Sequence, residues 1–175
     1  MAETMNYKEQ INTTDLSGKY ITFDLDGEEY GLPILNVREI IGMMGITPVP
    51  RMPQFVRGVI NLRGKVIPVV DLRTRFGLEF KESDARTPII VGEIEDVGRS
   101  QSMLIGIVVD AVSEVIQVTD EDIELTPSFG VDVDTKFILG MAKVGGKIKT
   151  LLDLDKVLTS ADLEILEATK RSGRE

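Results

Sequence analysis

From Tyr20 the chain alternates apolar and polar positions with the two-residue period of a half-buried strand. In "YITFDLDGEEYGL", Ile21, Phe23 and Leu25 fall on one side, Asp26-Gly27 supplies a turn, and Tyr30 and Leu32 return along a second strand. An Asp-Gly pair between two such runs predicts a β-hairpin, because both turn positions need positive φ. Strand-like runs then dominate: "VRGVIN", "GKVIPVVDL", "TPIIVGEI", "SMLIGIVVD", "SEVIQV", "FILGMAKV" and "GKIKTLLDL". Helical signals are short. "MPQFVRG" and "LRTRFGL" each have room for a turn or two, and Thr159 or Ser160 is placed to cap a final helix, "ADLEILEATKR", that ends before Gly173. Residues 1–19 are polar without sustained periodicity and read as a flexible arm. The pattern as a whole predicts a mainly β protein.

Sliding the chain along itself exposes an internal repeat. "FVRGVINLRGKVIPVVDLRTRF", from Phe55, lies over "FILGMAKVGGKIKTLLDLDKVL", from Phe137, without a gap. Upstream, "YGLPILNVREII" lies over "IGIVVDAVSEVI", with Gly31 on Gly106, Val37 on Val112 and Glu39 on Glu114. The link between the two blocks is longer in the second copy and contains "TDEDIELTPSFGVDVDTK". Two similar β modules in tandem are expected, each too small for a generous core of its own and therefore sharing one. Five short strands closing into a barrel would hide the edges of each. The domain plan is an arm over 1–19, two pseudo-repeated modules over 20–165, and the helix end with a tail over 166–175.

Composition narrows the chemistry. The 175 residues are 42% hydrophobic and 28% charged, an ordinary globular mixture. There is no His and no Cys, which removes the Ser-His-Asp and Cys-His triads, thiolate zinc sites and disulfides. A net charge of −9 disfavours nucleic acid and anionic lipid as partners. No run of eighteen apolar residues exists, and the start of the chain has no secretory pattern, so the cytoplasm is the expected compartment and membrane insertion is not expected. No cofactor motif is present: "GGK" at 145–147 lacks phosphate-loop spacing, and "DLDGEE" and "DVDTK" lack a calcium-loop register. Asp71 and Asp110 follow apolar strands and read as strand-end caps rather than catalytic acids.

Against this background Arg63 stands out, at the apex of "VRGVINLRGKVIPVVDL". Asn61 and Gly64 satisfy the usual demands of the turn, and the second copy has Gly145 where the first has Arg63. The turn therefore does not need an arginine. Arg63 is either a solvated turn residue or a guanidinium that binds a carboxylate, within the protein or on a partner. Glu39 is a candidate for that carboxylate, although Glu114 keeps the acid in the second copy and a shared structural role would explain both. Val37 and Glu39, two apart, share a face if extended. Arg51, Arg57, Arg63, Lys65, Arg73 and Arg75 cluster around one acid, Asp71, as a docking face or a solubilising rim. Phe129, in "TPSFGVD", is placed to anchor an interface or to pin its own loop.

"EEYGLPILNVREIIG", "FVRGVINLRGKVIPVVDLR", "IGIVVDAVSEV" and "ILGMAKVGGKIKTLLDLDKVL", in that order, resemble the CheW family of bacterial chemotaxis coupling proteins from about Tyr20 to Ile165. The resemblance implies two five-stranded SH3-like β-barrels sharing a core, with short helices and a C-terminal helix. It implies a non-catalytic, cofactor-free scaffold that bridges methyl-accepting chemoreceptors to the regulatory domain of the histidine kinase CheA, recruited from the cytoplasm to receptor arrays. By position it puts the coupling acid and arginine on Glu39 and Arg63. Val37, Gly58 and Gly64 then line the receptor-facing surface, and Phe129 falls in a kinase-facing loop. A paralogue serving another chemosensory system, and a small-molecule regulator gripping an anion with Arg63, are the competing readings.

Overall fold

The structure is a computed structural model that describes residues 16–96, 101–124 and 137–172. The first repeat contributes β1 (Gly18–Leu25), β2 (Glu28–Pro33), β3 (Val37–Ile41), β4 (Val56–Leu62), β5 (Lys65–Asp71) and the one-turn helix α1 (Leu72–Arg75). The second contributes β6 (Ile89–Asp96), β7 (Gln101–Val108), β8 (Ala111–Val118), β9 (Ile123–Glu124), β10 (Ile138–Val144), β11 (Lys147–Leu152) and α2 (Leu154–Val157), followed by α3 (Ser160–Ser172). "LRTRFGL" forms its turn as α1, where Asp71 accepts from the Arg73 N–H at 3.0 Å. "MPQFVRG" forms no helix. Thr159 caps α3: its hydroxyl accepts from the Asp162 N–H at 3.1 Å, while the Asp162 carboxylate accepts from the Thr159 N–H at 2.8 Å.

The two repeats do not segregate into two sheets. One sheet has the order β8-β1-β2-β11-β10-β9 and the other β3-β6-β7-β5-β4. Each repeat therefore gives its leading hairpin, β1–β2 or β6–β7, to the sheet that holds the rest of its twin. Corresponding residues make corresponding pairs: Gly31 lies beside Leu151 as Gly106 lies beside Val69, and Phe23 faces Val112 as Gly92 faces Val37.

The exchange has a simple steric cause. Without it, β3 would lie beyond β1 from β2 and parallel to β2, the place that β8 takes in the exchanged sheet. Returning to the start of a parallel strand takes a crossover of about a dozen residues or more. Only the 3-10 turn Ile34–Asn36 separates β2 from β3, and only Val109 and Asp110 separate β7 from β8. Links this short carry the chain straight on into the other sheet.

Neither sheet closes on itself through main-chain pairing among the described residues. Beside β4, Thr47 makes an isolated bridge to Val59, exchanging N–H···O bonds of 2.8 and 2.9 Å. In the other sheet β9 holds the same place, Glu124 pairing with Met141, the counterpart of Val59. The sixth strand is thus the second copy's extended version of that bridge.

Hydrophobic burial binds the two sheets into one body. The main core joins Phe23, Leu25 and Leu32 of the six-stranded sheet to Ile90, Ile105 and Ile107 of the five-stranded one, with Leu163 and Leu166 of α3. A smaller cluster sits inside each sheet, around Ile67 and Val69 in one and around Tyr20 and Val118 in the other. Phe76, just after α1 in the first repeat, stacks on Phe137, just before β10 in the second, at 4.7 Å. At the N-terminal end, the Tyr20 hydroxyl donates to the Leu16 carbonyl at 2.6 Å, so the chain is held two residues before β1 begins at Gly18.

Candidate functional site at the β4–β5 hairpin

The β4–β5 turn is built on Arg63 (φ 51°) and Gly64 (φ 85°). The same left-handed pair occurs at Asp26-Gly27 between β1 and β2, and at Gly145-Gly146 between β10 and β11. Asn61, which sequence reasoning offered as one of the left-handed residues, serves differently: its side-chain oxygen accepts from the Gly64 N–H at 2.9 Å. The unfavourable backbone position falls on Arg63 itself. For a residue with a Cβ this region costs about 1–2 kcal/mol, which Gly145 avoids in the twin hairpin.

Glu39 lies on β3, and Arg63 reaches it to form an ion pair. Because β3 and β4 end opposite sides of the strand order, this pair spans the open seam of the curled sheet. The hydrogen bond to the Glu39 carboxylate, and then its charge, raise the Arg63 guanidinium above its ordinary pKa. The Arg63 side chain stays 70% exposed, so solvent screens the pair and leaves the guanidinium free to engage a second carboxylate.

The segment is extended, and burial along β3 alternates so that Val37 and Glu39 share a face: Val37, Glu39 and Ile41 are half-buried, Arg38 and Ile40 exposed. Val37 packs against the main core, and Arg38 pairs with Glu93 of β6. Two apolar residues that sequence reasoning did not single out flank Glu39: Leu35, 89% exposed on the 3-10 turn, and Ile40, 42% exposed. The sequence carries no signal for them: Ile34, beside Leu35 in the same link, packs against the main core. Gly58 is buried rather than surface-lining. With φ 138°, a Cβ there would meet the Thr47 carbonyl at 2.1 Å, so the glycine admits the crossing Thr47–Pro48 segment. Phe129 lies outside the described residues.

The basic cluster disperses on folding. Arg57 pairs with Asp71 at 3.4 Å, Arg75 with Asp162 at 3.3 Å, and Arg73 with Asp110 at 2.6 Å and Asp26 at 3.4 Å. These three tie elements together rather than form a docking face. Asp110 also accepts from the Asp26 N–H at 2.8 Å, consistent with its reading as a cap. No described helix is long and apolar enough to cross a membrane.

Two curled sheets of five and six strands, exchanging hairpins around a common core, define a protein of the two-module, SH3-like β class. The chain belongs to the CheW-like domain family, whose model matches residues 19–162. It is 38% identical over 144 residues to the chemotaxis protein CheW of Rhizobium meliloti (strain 1021), covering 82% of this chain and 89% of the relative. It is 34% identical over 154 residues to the chemotaxis protein CheW of Klebsiella aerogenes, covering 88% of this chain and 89% of that one. The crystal structure of the scaffolding protein TtCheW from Thermoanaerobacter tengcongensis superposes with a TM-score of 0.70 at 38% identity, over 81% of this chain and 92% of that one. A scaffold role in chemotaxis follows from this membership.

Proposed function

We propose that the protein is a non-catalytic, cytoplasmic adaptor that couples methyl-accepting chemoreceptors to the regulatory domain of CheA at receptor arrays and so controls kinase activity. The observation that carries this reading is Arg63. It holds a costly left-handed turn position that its repeat counterpart leaves to glycine, and it presents an exposed guanidinium beside Glu39. A residue kept against its local preference, with no core contact to compensate, is explained by what it binds. In this reading Glu39 orients Arg63 toward a partner carboxylate, Val37 and Gly64 shape the receptor-facing surface, and Gly58 acts by letting the Thr47 segment pass. Phe129 is assigned to the kinase-facing loop.

Co-sedimentation with receptor signalling fragments and CheA, read together with kinase activity, tests the proposal. Ternary assembly with raised activity is expected, impaired by Arg63→Glu without loss of fold. Binding to neither partner at concentrations of about tens of micromolar, where weak contacts still register, would overturn it.

A further inference from the structure

The chain contains no Cys and no Trp, so its seven methionines are the side chains that a mild oxidant meets first. Their surroundings differ. Met103 is buried in the main core. Met52 is half-buried, and its sulfur accepts from the Thr169 hydroxyl at 3.1 Å, which occupies a lone pair. Met141 is half-buried within the sheet, paired with Glu124 on one side and Thr150 on the other. Met1 and Met5 lie outside the described residues. Met43 and Met44 remain, adjacent and half-buried, packed on the small core inside the five-stranded sheet. Gly42 and Gly45 on either side are exposed, with open space where a side chain would stand, which leaves the two thioethers within reach of a small reagent.

The segment that carries them runs from the end of β3 at Ile41 to Thr47, which bridges to Val59 of β4. Among the described residues no hydrogen bond holds residues 43–46. The matching link of the second copy, between β8 and β9, is pinned by polar contacts: the Thr119 hydroxyl and N–H each donate to the Asp122 carboxylate at 3.0 Å, and the Asp122 N–H donates to the Thr119 carbonyl at 3.0 Å. The first copy therefore relies on apolar contact where its twin relies on hydrogen bonds. Its segment also joins the two edge strands of the five-stranded sheet, β3 with Glu39 and β4 with Arg63 at its tip, whose seam the ion pair spans.

We infer that Met43 and Met44 form an oxidation-sensitive modification site, at which a hydroperoxide makes the segment polar and releases it from the core. A sulfur lone pair attacks the distal peroxide oxygen, the S–O bond forms as the O–O bond breaks, and the departing oxyanion takes up a proton. Sulfur is oxidised by two electrons, and the peroxide is reduced to water or an alcohol. The new oxygen is a hydrogen-bond acceptor set against Ile60, Val69 and Val91, whose side chains offer it no donor, so the burial that held the segment now opposes it. With the segment loosened, β3 and β4 lose their tie and the Glu39–Arg63 seam loses its fixed geometry. The effect on signalling rests on the adaptor reading, whereas the oxidation and its structural consequence do not. Sulfoxide reductases reverse the change.

The test oxidises the full chain alone with graded hydrogen peroxide, removes the peroxide with catalase, and then adds untreated receptor signalling fragments and CheA. Peptide mass spectrometry should find Met43 and Met44 oxidised several-fold faster than Met52 or Met103. The oxidised chain should melt roughly 3–6 °C lower and lose most of its stimulation of CheA, and methionine sulfoxide reductases should restore both. Met43→Leu with Met44→Leu keeps the apolar volume and should resist both losses under the same treatment. Met141→Leu should lose as much as the unaltered chain. Oxidation of Met1 and Met5 is common to all three proteins and cancels in the comparison.

Oxidation of Met43 and Met44 no faster than that of Met103 overturns the inference, as does an unchanged melting temperature once both are oxidised. An equal loss in the double leucine variant also overturns it, by placing the damage on another methionine. Should that variant itself melt early, the order of oxidation and the reversal by reductases in the unaltered chain still decide. Failure of the untreated chain to stimulate CheA sinks the adaptor reading instead, and leaves the oxidation order and the melting shift to be judged separately.

Discussion

Arg63 occupies a backbone conformation that Gly145 adopts freely in the twin hairpin, and this makes its two contributions separable. Replacing Arg63 by glycine removes a left-handed residue bearing a Cβ and copies the Gly-Gly turn of β10–β11. The lost ion pair with Glu39 is exposed and screened, so it offsets little of that gain. Arg63→Gly should therefore raise the melting temperature by roughly 2–4 °C while abolishing stimulation of CheA by receptor. Calorimetry beside the coupled kinase assay checks both halves. A lower melting temperature would make the guanidinium a structural group and weaken its assignment to recognition.

Between elements, the joint of β2 with β11 holds a charge pair where the joint of β5 with β7 holds an apolar one. Lys149, only 5% exposed, pairs with Glu29, whereas the equivalent positions are Ile67 and Leu104. The hydrogen bond from Lys149 holds the Glu29 carboxyl below its ordinary value of 4.5. A carboxyl with a depressed folded-state pKa contributes stability above its unfolded value and loses it as pH falls through the folded one. Glu29→Gln should accordingly cost about 1–2 kcal/mol at neutral pH by leaving Lys149 without its counter-ion, and the gap to wild type should narrow as pH drops below 4.5. Urea titrations at pH 7 and at about pH 3.5 would show it, and a gap of equal size at both would mean that the cost does not come from the charge of Glu29.

The legibility of the sequence divides along the same lines. The two-residue period marks most of the strands, leaving β3 only as a conditionally extended segment and β9 unmarked, and the repeat gives their equivalences, because both depend on local spacing. Which copy pairs with which was hidden, since self-alignment shows that β2 matches β7 without saying whose β5 or β11 each will join. The deciding quantity was the length of the link Ile34–Asn36, which was visible but is informative only once the strand order is known. The pairing of Glu39 with Arg63 is legible as one possibility, whereas residue type points to Asn61 for the left-handed φ that Arg63 adopts, because asparagine tolerates that region. The basic run looked like one face and instead serves Asp71, Asp110 and Asp162 on different elements, a contrast that only tertiary contacts reveal.

At the scale of the whole molecule, exchange makes each sheet depend on both repeats. Neither half of the chain contains a complete sheet: the first lacks β6 and β7 for its own β3, β4 and β5, and the second lacks β1 and β2 for its β8, β10 and β11. The main core is likewise assembled across the halves, from Phe23 and Leu32 on one side and Ile105, Ile107 and Leu166 on the other. Fragments 1–78 and 79–175, divided in the loop after α1, should each lack cooperative structure alone. Mixed, they should recover the β circular dichroism of the intact chain and melt in one transition whose midpoint rises with concentration, because association now supplies what connection supplied before. The intact chain should show equal calorimetric and van't Hoff enthalpies, the two sheets unfolding together. Independent folding of either fragment, or two resolved transitions in the whole protein, would mean that the repeats carry separate stability, and that the hairpin exchange sets geometry alone without coupling the sheet that bears Arg63 to its twin.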